Sequence, residues 1–108
     1  MQTLAALADP TRLRIVELLA EKERSSGDLV KQFRISAPAI SQHLKVLHQA
    51  RLVSVRVEGQ KRIQMLDPRG LEELDAWLSR TKRVWTARLD TLERLLLAED
   101  SNPKPKKK

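Results

Sequence analysis

The feature that most constrains this chain is a change of hydrophobic period just after Ala50. Before it, apolar residues recur at helical spacing. Leu52-Val53-Ser54-Val55-Arg56-Val57 then alternates and is rich in β-branched side chains, the pattern of a half-buried strand. Glu58-Gly59-Gln60 reads as a turn and Lys61–Leu66 as the return strand. Helical spacing resumes after Asp67-Pro68. With 108 residues there is material for one domain. The expected fold is therefore mainly α with a β-hairpin inserted late in the chain.

The helices before the hairpin are marked by their starts. Residues 1–8 form a short helical pattern with Leu4 and Leu7 on one side. Asp9-Pro10-Thr11 restarts the chain: Asp9 suits an N-cap, and Pro10 fits a first turn, where its missing N–H costs nothing. The second helix is expected to reach Glu21, with Leu13, Val16 and Ala20 on one side and Ile15, Leu18 and Leu19 beside them. Ser25-Ser26 caps a third helix carrying Leu29, Val30 and Phe33. After a turn at Arg34-Ile35, Ser36 caps a fourth, running to about Ala50. Two short helices so joined fit a helix-turn-helix, and the hairpin that follows makes a wing.

On a helical wheel of ~100° per residue, Leu44 and Leu47 fall within ~40° of Ile40 and form the buried stripe. Pro38, Gln42, Lys45 and Gln49 lie opposite, with Ala39 and Ser41 on the flanks. In a chain with 32% charged residues, an ordinary solvated face would carry Glu–Lys pairs. Small and amide side chains instead suit close approach to base edges. His43 sits near the core edge, suited to packing or to phosphate. His43 and His48 do not share a face and make a poor metal pair.

The formal net charge is +7, and its distribution matters more than its size. Between residues 34 and 64, Arg34, Lys45, Arg51, Arg56, Lys61 and Arg62 face Glu58 alone. A focused positive segment favours a polyanion partner. Charge by itself leaves open a solvated surface with chance clustering. Beside a recognition helix, Arg56, Lys61 and Arg62 on the wing would follow the phosphate backbone or enter the minor groove. The alternative is an exposed hairpin edge guarded by charge.

Leu71, Leu74, Leu78, Trp85, Leu89, Leu92 and Leu96 follow at spacings near three, four and seven. They predict a long amphipathic C-terminal helix, interrupted at most once, with Gly70 as the candidate break. The stripe is more apolar than one small core needs. Leu4, Leu7, Trp85, Leu89, Leu92 and Leu96 are the expected dimer seam, against the alternative of a helix folded back on its own chain. Residues 1–98 are expected to form the domain and 99–108, with four Lys and two Pro, a disordered basic tail.

The inventory speaks against an enzyme. There is no Cys or Tyr and there are three Gly, and neither a phosphate-cradling loop nor a nucleophile elbow can be found. No cofactor or metal is expected. The stretch without a charged side chain from Ile35 to Leu44 is too short to span a bilayer, and a cytoplasmic setting is expected.

Taken together, the run ALADPTRLRI ending at Ile15, the run from Ile40 to Leu47 (ISQHLKVL), ARLV at Ala50–Val53 and EGQKR at Glu58–Arg62 resemble the bacterial ArsR/SmtB winged helix-turn-helix repressors. The resemblance covers roughly residues 3–98. Leu74–Leu78, Trp85 and Leu89–Leu92 are similar to a metal-independent branch that includes autorepressor-type regulators. The resemblance implies a homodimer that binds operator DNA and represses transcription, with terminal helices at the dimer interface. By position it implies that Ala37, Pro38, Ala39, Ser41, Gln42, His43 and Lys45 belong to the recognition helix and Arg56, Lys61 and Arg62 to the wing. The chain departs from the family in lacking the thiols of metal sensors, in having no His on the last helix, and in placing Ile63 and Gln64 where a wing Tyr is frequent. A protein-docking module and a non-specific architectural DNA binder remain alternatives on sequence grounds.

Overall fold

A computed structural model describes residues 1–100. Along the chain run α1 (Gln2–Leu7), α2 (Pro10–Glu21), β1 (Arg24–Ser25), α3 (Ser26–Lys31), α4 (Ala37–Gln49), β2 (Val53–Glu58), β3 (Lys61–Leu66) and α5 (Pro68–Asp100). They divide into two units, Met1–Asp75 and the part from Ala76 onward.

In the first unit the three anticipated caps all form. Asp9 accepts the N–H groups of Thr11 (2.8 Å) and Arg12 (3.1 Å). The Ser25 hydroxyl accepts from Asp28 N–H (3.1 Å) and the Ser36 hydroxyl from Ala39 N–H (3.2 Å). Each satisfies donors that a helix start leaves orphaned. α3 is shorter than expected: it ends at Lys31, and Phe33 packs on the core from the turn beyond it. The core is built from Ile15, Leu18 and Leu19 of α2, Leu29 of α3, Ile40, Leu44 and Leu47 of α4, and Leu52 and Val53 entering β2. Of the broad apolar arc on α2, the side with Leu13 and Ala20 is exposed.

The hairpin has the expected return strand, pairing Val53 with Leu66 at its base and Glu58 with Lys61 at its tip. Gly59, at φ 61°, opens the two-residue loop, and its left-handed backbone matches the twist of the flanking strands. A third strand corrects the two-stranded expectation. Arg24–Ser25 pairs with Gln64 and Ile63, giving the antiparallel order β1-β3-β2 with β3 in the centre. Two residues are too few to show any period.

α4 stops in a Schellman motif. Leu52 N–H reaches Leu47 C=O and Arg51 N–H reaches His48 C=O, both at 3.0 Å, with Arg51 in the left-handed region at φ 59°. Fully buried Leu47 and Leu52 complete it. The long C-terminal helix is present without a break, and α5 is one helix of 33 residues. Gly70 lies in its first turn, where its role is close approach rather than a break. The N–H of Gly70 donates to Arg51 C=O at 2.7 Å, and a Cβ there would sit 2.4 Å from that oxygen.

In the second unit the apolar side chains of α5 are largely bare: Trp85 is 59% exposed and Leu89, Leu92 and Leu96 are 47–52% exposed. Glu99 and Asp100 continue the helix where the basic tail was expected to begin. The rest of that tail lies outside the described residues.

Candidate nucleic-acid interface

α4 presents the two faces its sequence implied. Ile40, Leu44 and Leu47 are buried, while Ala37, Pro38, Ser41, Gln42, Lys45 and Gln49 are exposed and Ala39 and His43 half-buried. The exposed face carries one charge, Lys45. Its N-terminal turn is set by the Ser36 cap and by Pro38, whose ring is tolerated there because no intrahelical N–H is required.

α2 braces this helix. Arg12 donates through Nε to the Ala6 carbonyl (2.7 Å), and its Nη1 lies 3.4 Å from His43 Nδ1. A guanidinium can only donate, so Nδ1 accepts and the ring proton is left on Nε2. Asp9 completes the corner. The N–H of Arg12, and after it that of Thr11, hold its carboxyl below the usual carboxylate range, against the opposing pull of partial burial.

Between α4, α3 and the wing lies a groove of about 470 Å³, lined by Ser26, Ser41, Leu44, Lys45, His48, Arg62 and Gln64. Lys45 and Arg62 meet there with two hydroxyls and no carboxylate. Such a lining suits a phosphate or the edge of a nucleic-acid strand. Strand register explains the placement. Side chains alternate along β3, so Arg62 shares the α4-facing side with Gln64 and Leu66. Lys61 shares the opposite side with Ile63 and Met65.

The structure therefore gathers Ser41, Lys45 and Arg62 but not all the cations expected to act together. Arg56 lies opposite Ile63 in the ladder, on the far side of the wing. There it donates through Nε to Glu58 (2.8 Å) and through Nη1 to Glu23 (3.0 Å). These two carboxylates, Glu58 foremost, raise the Arg56 pKa above its ordinary value. One of the three wing cations read from the sequence is thus already engaged in tying β2 to the segment before β1. Sequence reasoning missed Arg12, Ser26, His48 and Gln64. For Gln64 a signal existed: two residues before inward-facing Leu66 on a strand, it had to point inward too.

Of the residues expected at a dimer seam, Leu7 packs against the core, and Leu4, Trp85, Leu89, Leu92 and Leu96 are exposed. Among the described residues there is no group of three or more His, Asp or Glu side chains able to hold a metal ion. No helix among them is long and apolar enough to cross a membrane.

Comparison with known proteins decides the family. The model for "Bacterial regulatory protein, arsR family" matches residues 9–55, from the α2 cap into β2. Over 94 residues the chain is 46% identical to the HTH-type transcriptional regulator Rv2034 of Mycobacterium tuberculosis, covering 87% of this chain and 85% of that protein. The chain belongs to the arsR family. It is a DNA-binding transcriptional regulator with a winged helix-turn-helix fold, and the arsR family consists of regulators rather than enzymes. The transcriptional repressor SdpR of Bacillus subtilis is a further relative, 37% identical over 73 residues, 68% of this chain and 81% of SdpR. Among solved structures, that of a possible transcriptional regulator for arsenical resistance superposes with a TM-score of 0.69 at 39% identity, covering 91% of this chain and 96% of that one. The arsR match contains all of α4, whereas Lys61 and Arg62 lie beyond it.

Proposed function

We propose that this regulator is a homodimeric repressor that reads a palindromic operator without a metal, in the cytoplasm. The observation that carries the reading is the outward face of α4: small and amide side chains with one cation, set beside the Lys45–Arg62 groove. In this reading Ala37, Pro38, Ala39, Ser41, Gln42 and His43 approach bases and the adjoining backbone in the major groove. Lys45, Lys61 and Arg62 bind phosphates. Arg56 contributes through its ion pairs to the shape of the wing.

The dimer rests on exposed apolar surface. Leu4, Trp85, Leu89, Leu92 and Leu96 present large side chains to solvent, and fully burying a Leu stabilises by about 1.5–3 kcal/mol. A second copy related by a two-fold axis would cover this surface and place two recognition helices on the half-sites of a palindrome. The absence of Cys removes the thiolate ligands a soft-metal sensor needs.

Competition between specific and random duplex tests the proposal. At fixed salt, DNA from upstream of the protein's own coding region should be bound at least ten times more tightly than random duplex. Equal affinity would indicate an architectural DNA binder. Binding that does not weaken with added salt would indicate a protein-docking module.

A further inference from the structure

The wing carries a polar side chain where a core residue would be expected. Gln64, on the central strand β3, is 1% exposed. Its Oε1 accepts from His48 Nε2 at 2.7 Å, and its Nε2 donates to the Ser26 hydroxyl at 3.0 Å. That hydroxyl donates onward to the Arg62 carbonyl at 3.4 Å. The direction is fixed throughout. Because the Ser26 proton goes to a carbonyl, its oxygen accepts from Gln64. The amide oxygen must then face His48, which supplies a ring N–H. The chain of bonds joins the last turn of α4, the middle of β3 and the first residue of α3.

An apolar side chain of similar volume would fill this space with no desolvation cost. A buried amide costs free energy unless its hydrogen bonds are made. What the amide adds is direction. Leu can pack against α4 at several small offsets of the hairpin, whereas the His48–Gln64–Ser26 chain closes at one. Arg62 is two residues from Gln64 on the same side of β3, and its carbonyl is the end of the chain.

We infer that Gln64 is a positioning residue for DNA binding: through His48 and Ser26 it locks the wing, and with it the Arg62 side chain, at a fixed offset from the recognition helix. The inference rests on the proposal that α4 and the wing engage one duplex.

The experiment compares Gln64→Leu, Arg62→Ala and the double variant on the full chain. It reads the thermal midpoint, and the dissociation constant on an upstream duplex as a function of salt. Gln64→Leu should keep a midpoint close to wild type while binding weakens about tenfold and the salt slope falls by about one phosphate. In the Arg62→Ala background it should cost nothing further. His48→Leu should reproduce the loss, and His48→Gln, which restores a side-chain N–H, should recover most of it. The His48 pair keeps the test decisive should Gln64→Leu fail to fold.

Wild-type affinity and slope in Gln64→Leu would overturn the inference. So would a loss that adds fully to that of Arg62→Ala, or equal behaviour of His48→Leu and His48→Gln. An unchanged slope in Arg62→Ala would overturn the phosphate reading of the groove first, and the positioning role with it.

Discussion

The amide nitrogen of Gly70 lies 2.7 Å from the carbonyl oxygen of Arg51, so the first turn of α5 is seated directly on the backbone that ends α4. The contact admits no side chain. In Gly70→Ala the new methyl would sit 2.4 Å from the Arg51 oxygen and 3.0 Å from that of Ala50, and neither backbone group can swing away. The substitution should destabilise the fold by about 1–3 kcal/mol, although alanine is the better helix former. Urea denaturation of the two proteins measures this.

Arg51 makes the opposite case. It occupies the left-handed position of the α4 Schellman motif at φ 59°, where a Cβ is unfavourable and glycine is favoured. Arg51→Gly should raise stability by about 0.5–1 kcal/mol, the relieved strain being partly offset by the greater freedom of glycine in the unfolded chain. Denaturant midpoints check the sign.

Acid should weaken the fold through two carboxylates. The side chain and then the backbone N–H of Arg69 hold Asp67 below the ordinary carboxylate value, and the Arg12 N–H above all does so for Asp9. A depressed folded-state pKa contributes stability that is present above the unfolded value, near 4, and is lost as pH falls through the folded value. Wild-type stability should therefore decline below about pH 4. Asp67→Asn should be less stable than wild type at pH 7, with a difference that shrinks toward pH 2–3. Thermal midpoints across pH would show it, and a constant difference would contradict it.

On DNA the cations should behave unequally. Gln42→Ala should lose discrimination at one or two base positions. Lys61→Ala and Arg62→Ala should weaken all sequences alike and lower the salt slope by about one each. Arg56→Ala should leave the slope unchanged, because its guanidinium is already engaged by Glu58 and Glu23. A slope for Arg56→Ala as low as that for Arg62→Ala would reverse this assignment.

The α5 stripe links assembly to binding. Trp85→Ala should raise the concentration at which the protein becomes monomeric and weaken operator binding in parallel. Sedimentation and anisotropy titrations on the same samples read both. A monomeric wild type at micromolar concentration would refute the seam.

What sequence could tell followed from locality. Asp9, Ser25 and Ser36 announced their helices because a cap acts over three residues. The two faces of α4 followed from period, and the β3 span from the turn that precedes it. β1 escaped because Arg24–Ser25 is too short to carry a pattern. The role of Gly70 escaped because glycine in a first turn need not break a helix, and what it does there depends on Arg51, distant in sequence. The Glu23–Arg56 pair and the His48–Gln64–Ser26 chain join residues from separate elements, and such meetings appear only once the register of each element is known. Gln64 was noticed as a departure from the family pattern before its partners could be.

The central claim is that the sparsely charged face of α4 and the groove beside it receive the duplex. Amide chemical-shift mapping during titration with an upstream duplex tests it most directly. The account predicts that the largest changes fall on residues 37–45 and 61–64. Changes centred on α5, or none at any salt concentration, would contradict it.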